Sequence, residues 1–177
     1  MLILITGGSG SGKSEYAEQT ILRLGAAPRL YIATMYPFDE ECRQRIRRHR
    51  KMRRDKGFDT LECYTGLAKA DVTGYGAVLL ECMSNLTANE LYQEGGAGER
   101  CAEQILSGVE RIRSQCRHLV IVTNEIFSDG LEYDQETRRY QNALAGINRE
   151  IAAAADLVVE VVYSIPLIIK GEAEAAE

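Results

Sequence analysis

The sequence predicts an α/β fold in which helices flank a mostly parallel sheet. Short apolar segments with the length of strands alternate along the chain with segments whose apolar residues recur at helical spacing. Several strand segments are apolar throughout, which is typical of parallel strands covered on both faces. The chain has 177 residues, 45 % of them hydrophobic and 27 % charged, so we expect one domain over residues 1–177 with a proper core.

The first predicted strand leads directly into a glycine-rich loop. Residues 2–6 are apolar except for the last, residues 7–14 fit the pattern G-x-x-x-x-G-K-S, and residues 14–24 continue with helical spacing. Strand, glycine loop and helix in this order are the context that separates a phosphate-binding loop from a chance run of glycines. The sequence therefore predicts a P-loop NTPase-like, RecA-like sheet with a nucleotide site where this strand meets its helix.

The residue types in the loop suit a triphosphate. Glycines let backbone N–H groups approach an anion, and the following helix adds the positive end of its dipole. Lys13 can neutralise the β- and γ-phosphates, and the hydroxyl of Ser14 can bind Mg²⁺. The predicted phosphate-binding residues are Gly7, Gly8, Ser9, Gly10, Ser11, Gly12, Lys13 and Ser14.

The remaining elements follow in chain order. Further strands are predicted over residues 29–34, 60–64, 77–82, 119–123, 157–162 and 167–169. Further helices are predicted over 39–54, with Asp39 as the N-cap, and over 84–93, 99–116 and 134–155. Residues 126–134 are expected to form a loop and residues 171–177 a frayed acidic tail.

Polar residues follow several of these strands. Thr34 ends the second strand, and Glu81 follows an apolar run, as in a Walker B segment that assists Mg²⁺ binding. Asn124 and Glu125 follow the 119–123 strand and are candidates to orient a substrate hydroxyl, or simply to cap the strand end. Because open α/β sheets bind ligands at the carboxyl ends of their strands, we expect these residues to gather beside the phosphate loop.

Composition excludes several classes of protein. No apolar run approaches the roughly 18 residues that a membrane span requires, and the apolar N-terminus enters the phosphate loop without a signal-peptide pattern. The five cysteines are widely spaced and include no C-x-x-C pair. This spacing favours reduced thiols, and hence a cytoplasmic protein, over a disulfide or zinc framework.

Charge is concentrated in one segment. Residues 42–56 contain nine Lys or Arg and one Asp, a net charge of +8; the whole chain carries −5, so the remainder carries −13. His49 lies within this segment, on the same predicted helix face as Arg45 and Arg53. An imidazole among guanidinium groups is a candidate nucleophile toward phosphorus. The alternative is a solvated basic helix with an incidental histidine, and we interpret His118, at the start of an apolar strand, as structural.

Collinear motifs cover nearly the whole chain. They are I-L-I-T-G-G-x-x-S-G-K-S from Ile3, Y-I-A-T from Tyr31, R-I-x-x-H-R-x-x-R from Arg45, T-L-E from Thr60, L-L-E-C from Leu79, V-T-N-E from Val122 and N-x-x-I-A-x-x-A-D from Asn148. With these motifs the chain resembles the bifunctional adenosylcobinamide kinase / adenosylcobinamide-phosphate guanylyltransferase family of cobalamin biosynthesis. The histidine–arginine motif is the most specific of them.

The resemblance implies two reactions. The γ-phosphate of ATP or GTP passes to the aminopropanol hydroxyl of adenosylcobinamide, and His49 then carries GMP from GTP to the cobinamide phosphate. It also implies a homotrimer. Mg²⁺ is expected from the residue types of the phosphate loop, and the absence of a nucleic-acid partner from the charge pattern. Beyond the phosphate loop, the resemblance places these residues around the nucleotide: Ala33, Thr34, Met35, Arg50, Lys51, Met52, Arg53, Glu62 and Glu81.

The chain departs from the family pattern in places. Gly10 stands where the family usually has Arg, and residues 126–133 and 140–142 differ from the family's segments. These departures concern the corrinoid side more than the nucleotide side. They keep open a P-loop kinase without the guanylyl step. A nucleotide-dependent nucleic-acid-binding protein is a weaker alternative, because the remainder of the chain is acidic and few aromatics lie near the basic segment.

Overall fold

The computed structural model describes residues 1–128 and 130–172, apart from the side chain of Met52. Within these ranges seven strands form one sheet in the order β3-β2-β4-β5-β1-β6-β7. The strands are β1 Leu2–Thr6, β2 Arg29–Ala33, β3 Phe58–Glu62, β4 Ala77–Glu81, β5 His118–Val122, β6 Leu157–Val162 and β7 Ile165–Lys170. Strands β1 to β6 are parallel, and β7 pairs antiparallel with β6. The predicted α/β fold with a mostly parallel sheet is confirmed.

Five helices are present in the described ranges. They are α1 Lys13–Arg23, α2 Glu40–Arg53, α3 Met83–Tyr92, α4 Cys101–Gln115 and α5 Gln135–Ala154. Each predicted helix exists, with ends that differ by one or two residues. The predicted third strand begins two residues earlier, and the last strand is longer than expected because Pro166 is accommodated at the sheet edge. Residues 173–177 of the predicted acidic tail lie outside the described residues.

The core consists of two apolar clusters, one on each face of the sheet. Alternate residues of the central strands supply both clusters, since successive strand side chains point to opposite faces. Helix α1 covers one face with Ala17 and Ile21, and α3, α4 and α5 cover the other. None of the described residues of α2 belongs to either cluster. Helix α2 therefore depends on other contacts, and these lie at the carboxyl edge of the sheet.

The expectations from composition can be compared with the structure. No helix in the ranges 1–128 and 130–172 is long and apolar enough to cross a membrane. All five cysteines are free thiols, as their spacing predicts. Cys63, Cys82 and Cys101 are buried, and burial raises the pKa of each of these thiols.

Candidate functional site

The phosphate loop is braced by the turn that joins β6 to β7. Ser164 donates a backbone hydrogen bond to the carbonyl of Ser11 at 2.8 Å. A Cβ atom on Gly12 would lie 2.6 Å from the Ser164 hydroxyl, and one on Gly7 would lie 2.5 Å from the carbonyl oxygen of Val161. Both glycines are therefore required by close approach as well as by their positive φ angles. The sequence pattern predicted the role of these glycines but not the turn that packs against them.

Lys13 is the buried cation of the loop. It is the first residue of α1, its Nζ donates to the carbonyl of Gly8 at 2.9 Å, and it is almost fully buried. Burial lowers the pKa of this lysine, and the negative charges of nearby groups such as Glu81 oppose that effect. A positive group held inside an anion-binding loop favours a phosphate over water as its partner.

Ser14 and Glu81 meet at the carboxyl edge of the sheet. The Ser14 hydroxyl donates a hydrogen bond to Oε1 of Glu81, the last residue of β4. Glu81 is only 8 % exposed, and its Oε2 is buried without a hydrogen-bond partner. The expected gathering of strand-end residues beside the phosphate loop is observed for this pair. Their oxygens form a donor set of the kind that Mg²⁺ prefers.

His49 reaches the same carboxylate from α2. Its Nδ1 lies 3.8 Å from Oε1 of Glu81, and its side chain is 24 % exposed. Nδ1 is buried without a hydrogen-bond partner. Arg45, which was expected on the same face, instead pairs with Glu41 at 2.7 Å on the solvent side. Only His49 and Arg53 of that predicted trio reach the site.

Arg53 is the last residue of α2, and its side chain is buried beside an aromatic ring. Its guanidinium carbon lies 3.4 Å from the centroid of the Tyr31 ring, a cation–π contact. Arg53 is 5 % exposed, yet its Nε and Nη1 have no hydrogen-bond partner. Burial is the main cause that raises the pKa of Tyr31 well above its usual value, so that this ring stays neutral. Unpaired N–H groups on a buried cation indicate a place for an anionic ligand.

A second buried contact ties the end of α2 to α1. Lys56, just after α2, forms an ion pair with Glu18 of α1, whose side chain is completely buried. Neither residue was singled out from the sequence. The only sequence signal for Glu18 is its place beside Ala17 and Ile21 on the sheet-facing side of α1, where an acid needs a partner.

Most of the predicted nucleotide residues beyond the loop line one small cavity of about 50 Å³ between α2 and the ends of β2 and β4. These residues are Ala33, Met35, Arg50, Arg53, Glu62 and Glu81, together with His49. On its rim Arg50 forms an ion pair with Glu62, and the Tyr64 hydroxyl donates to Glu62 at 2.8 Å. The residues expected around one ligand are therefore neighbours in space.

Two of the predicted nucleotide residues do not line this cavity, and for a third the side chain is not described. Thr34 is completely buried, where its hydroxyl donates to the carbonyl of Cys82 at 2.8 Å and accepts from the Cys82 N–H at 2.7 Å. Its side chain therefore supports the end of β4 rather than lining the cavity, and a contact of Thr34 with the nucleotide stays a prediction. Lys51 points to solvent from α2. Met52 lies in the same helix, but its side chain is outside what the structure describes.

The two other strand-end candidates lie on the far side of β4. Asn124 donates through Nδ2 to the Ser84 hydroxyl at 2.6 Å. Glu125 accepts from the backbone of Phe127 at 2.9 Å and from the Ser128 hydroxyl at 2.8 Å, and therefore orders the loop after β5. His118 begins β5, at the opposite end of that strand from these residues. Burial lowers the pKa of its imidazole.

Comparison with known families gives a match over most of the chain. Residues 3–169 match the model of the CobU family, described as cobinamide kinase / cobinamide phosphate guanyltransferase. The chain is 35 % identical over 185 aligned positions to a bifunctional adenosylcobalamin biosynthesis protein CobU of Salmonella typhimurium, covering 96 % of this chain and all of that protein. It is 30 % identical to the CobP protein of Pseudomonas aeruginosa, covering 96 % of this chain and 97 % of that one.

Solved structures with a similar fold are more distant in sequence. The flagellar accessory protein FlaH of Methanocaldococcus jannaschii aligns with a TM-score of 0.52 at 13 % identity, over 99 % of this chain and 80 % of that one. A KaiC-like protein of Pyrococcus horikoshii aligns with a TM-score of 0.50 at 12 % identity, over 97 % of this chain and 80 % of that one. These similarities concern the fold alone, which is the P-loop NTPase-like arrangement that the sequence predicts.

Proposed function

Because the chain belongs to the cobinamide kinase / cobinamide phosphate guanyltransferase family, we propose that it catalyses two successive reactions of cobalamin biosynthesis. The first transfers the γ-phosphate of ATP or GTP to the aminopropanol hydroxyl of adenosylcobinamide. The second transfers GMP from GTP to the resulting phosphate and gives adenosyl-GDP-cobinamide. One observation carries the proposal: Glu81 contacts both the phosphate-loop Ser14 and His49 of the basic helix.

In the first reaction the phosphate loop holds the triphosphate through its backbone N–H groups. The substrate hydroxyl oxygen forms a bond to the γ-phosphorus, the bond to the β,γ-bridging oxygen breaks, and the nucleoside diphosphate leaves as the hydroxyl proton is released. Lys13 neutralises charge on the β- and γ-phosphates, exchanging its contact with the Gly8 carbonyl for phosphate oxygens. Catalysis of this step is mainly positioning and charge stabilisation.

Ser14 and Glu81 are the residues that would hold Mg²⁺ beside the phosphates. The fit is supported by the buried Oε2 of Glu81, which has no hydrogen-bond partner, and by the Ser14 hydroxyl next to it. Both groups supply oxygen ligands, which suit this ion. When bound, Mg²⁺ neutralises charge on the phosphate oxygens.

In the second reaction we assign the covalent step to His49. Its Nδ1 faces Glu81, so Nε2 is the ring nitrogen left to react. Nε2 attacks the α-phosphorus of GTP, the bond to the α,β-bridging oxygen breaks, and pyrophosphate leaves with GMP retained on the imidazole. A phosphate oxygen of cobinamide phosphate then attacks the same phosphorus, the P–N bond breaks, and His49 is restored. Arg50 and Arg53 line the same cavity and stabilise the developing charge.

The proposal is tested with GTP radiolabelled at its α-phosphate. In the presence of Mg²⁺ the wild-type protein should take up label in an acid-labile, alkali-stable bond. His49→Ala should carry no label and still phosphorylate adenosylcobinamide, whereas His118→Ala, the matched control at the other histidine, should be labelled like the wild type. A folded wild-type protein that phosphorylates adenosylcobinamide without taking up label would instead be the kinase that lacks the guanylyl step.

We also expect a homotrimer, as the resemblance implies, in the cytoplasm. Support for self-association comes from β7, the last strand of the sheet, whose six residues are all exposed and mostly apolar. Proteins usually cover an apolar edge of this kind. Size-exclusion chromatography with light scattering measures the mass directly, and a monomer at micromolar concentration would contradict the expectation. The expected cytoplasmic location is supported by the free thiols, which suit a reducing compartment.

A further inference from the structure

A second cavity, of about 360 Å³, lies between the loop that follows β5 and the first two turns of α5. Its lining combines apolar surface, including Ile126, with hydroxyl, amide and carboxylate groups. The residues that supply these groups are Glu125, Ser128, Tyr133, Thr137, Tyr140 and Gln141. This cavity shares no lining residue with the one beneath α2.

The second cavity adjoins the phosphate loop. Glu125 donates its backbone N–H to the carbonyl of Gly7 at 3.0 Å, which joins the cavity wall to the first residue of the loop. The Tyr140 hydroxyl donates to the carbonyl of Ser84 at 3.3 Å, just beyond the end of β4. Strand β5 lies between β4 and β1 in the sheet, whereas the cavity beneath α2 lies over β2 and β4. Along the sheet, Glu81 at the end of β4 therefore lies between the two cavities, and the second cavity lies beside the phosphate loop.

The chemistry of the two cavities differs. The lining of the cavity beneath α2 includes two arginines, two glutamates and a histidine, and the unpaired N–H groups of Arg53 suit an anion there. The lining of the second cavity includes one carboxylate and no Lys or Arg among the described residues. Burial raises the pKa of Tyr140 to about 12, so its hydroxyl stays neutral. The Glu125 carboxylate is oriented by two hydrogen bonds to its Oε1. Such a lining suits a ligand that bears hydroxyl and amide groups and disfavours a second phosphate.

We propose that this second cavity binds the acceptor of the kinase reaction, an amide-bearing alcohol, and presents its hydroxyl to the γ-phosphate. The assignment rests on the proposed function and adds the location of its second substrate. Five of the seven lining residues come from the two segments in which this chain departs from the family pattern, residues 126–133 and 140–142; the exceptions are Glu125 and Thr137. Those departures would then set which amide-bearing alcohol is accepted.

The test fills the cavity without touching the nucleotide site. Gln141, whose Nε2 donates to the carbonyl of Ile126 at 3.2 Å, is changed to Phe, and its exposed neighbour on α5 gives the matched control Asn142→Phe. Steady-state phosphorylation is measured against adenosylcobinamide and against GTP, and labelling by GTP radiolabelled at its α-phosphate is measured without acceptor. Gln141→Phe should raise KM for adenosylcobinamide about tenfold or more, equivalent to roughly 1.4 kcal/mol. KM for GTP and the labelling yield should stay within about twofold, and Asn142→Phe should match the wild type in all three.

The outcomes separate this assignment from the proposed function. An unchanged KM for adenosylcobinamide in a folded Gln141→Phe, with an active wild type, would overturn the second cavity alone. Equal increases of KM for both substrates would overturn it as well. If Gln141→Phe does not fold, Glu125→Gln provides the same comparison with no change of volume. A wild-type protein that neither phosphorylates adenosylcobinamide nor takes up label would overturn both statements.

Discussion

Helices α1 and α2 both contribute residues to the phosphate site, but different forces hold them. Helix α1 continues directly from the phosphate loop and buries Ala17 and Ile21 in the core. Helix α2 contributes no described residue to the core and is attached through Arg53 on Tyr31, His49 beside Glu81, and the Lys56–Glu18 pair that follows it. Apolar packing fixes the helix that follows the phosphate loop, whereas polar and charged contacts hold the helix that carries His49. Because the charged groups of α2 can also pair with an anionic ligand, we expect nucleotide binding to reposition α2 more than α1.

The largest expected effect is a difference between the two helices in how much stability one apolar side chain contributes. Ile21→Ala leaves a cavity between α1 and the sheet and should lower the free energy of unfolding by about 2–5 kcal/mol. The matched change in α2, Ile46→Ala, should lower it by less than about 1 kcal/mol because Ile46 is only half-buried. Urea denaturation at constant m-value measures both. Equal losses would show that α2 is also held by apolar packing.

The buried ion pair that joins the two helices should give the next effect. Lys56→Met leaves Glu18 buried without its partner and should cost about 3 kcal/mol of the free energy of unfolding. Adding Glu18→Gln removes the unpaired charge and should restore most of that loss. Thermal and urea unfolding of the wild type, both single variants and the double variant complete the cycle. A double variant as unstable as Lys56→Met would mean that lost packing, rather than the unpaired charge, causes the effect.

Arg53 should affect binding more than folding. Arg53→Met keeps the stem against Tyr31 but removes the buried guanidinium, whose Nε and Nη1 have no partner. We expect GTP affinity to fall about tenfold to a hundredfold, the range for a hydrogen bond to a charged group, with little change in stability. Isothermal titration calorimetry measures the affinity, and exposed Arg54→Met is the matched control. Equal affinity losses in both variants would indicate a general charge effect.

The smallest effect should come from the solvent side of α2. Glu41→Ala removes the exposed pair with Arg45, which sits at 2.7 Å. Exposed pairs contribute little, so the midpoint of thermal unfolding should change by less than about 2 °C. Neither KM nor labelling should change. A clear loss of stability would mean that surface pairs, rather than the buried contacts at its end, hold α2 in place.

Local patterns predicted much of this fold because their parts are contiguous in the chain. The phosphate loop needs only a strand, its glycines and a helix in succession, and the N-cap of α2 needs only Asp39 before its helix; its side chain accepts from the N–H of Cys42 at 2.7 Å. The approach of Glu81 to Ser14 follows from a rule about parallel strands, since both lie just after a strand that ends at the same edge. The family resemblance decided between the two interpretations of His49, because the charge pattern alone also fitted a solvated basic helix.

Long-range meetings of side chains could not be predicted in the same way. Helical spacing predicted that Arg45, His49 and Arg53 share one face of α2. Which part of that face contacts the sheet depends on the tertiary packing of the helix. Thr34 was correctly expected at a strand end, yet its hydroxyl turned toward Cys82 because a completely buried hydroxyl needs hydrogen-bond partners.

By itself the sequence determined the order of strands and helices, the anion-binding loop and the segment of concentrated positive charge, because each depends on residues that are neighbours in the chain. Only the tertiary structure decided that Glu81 stands between Ser14 and His49, that Tyr31 lies under Arg53, and that a second cavity adjoins the phosphate loop. These contacts join segments tens of residues apart, and burial, through desolvation and the need for partners, selects them when the sheet assembles.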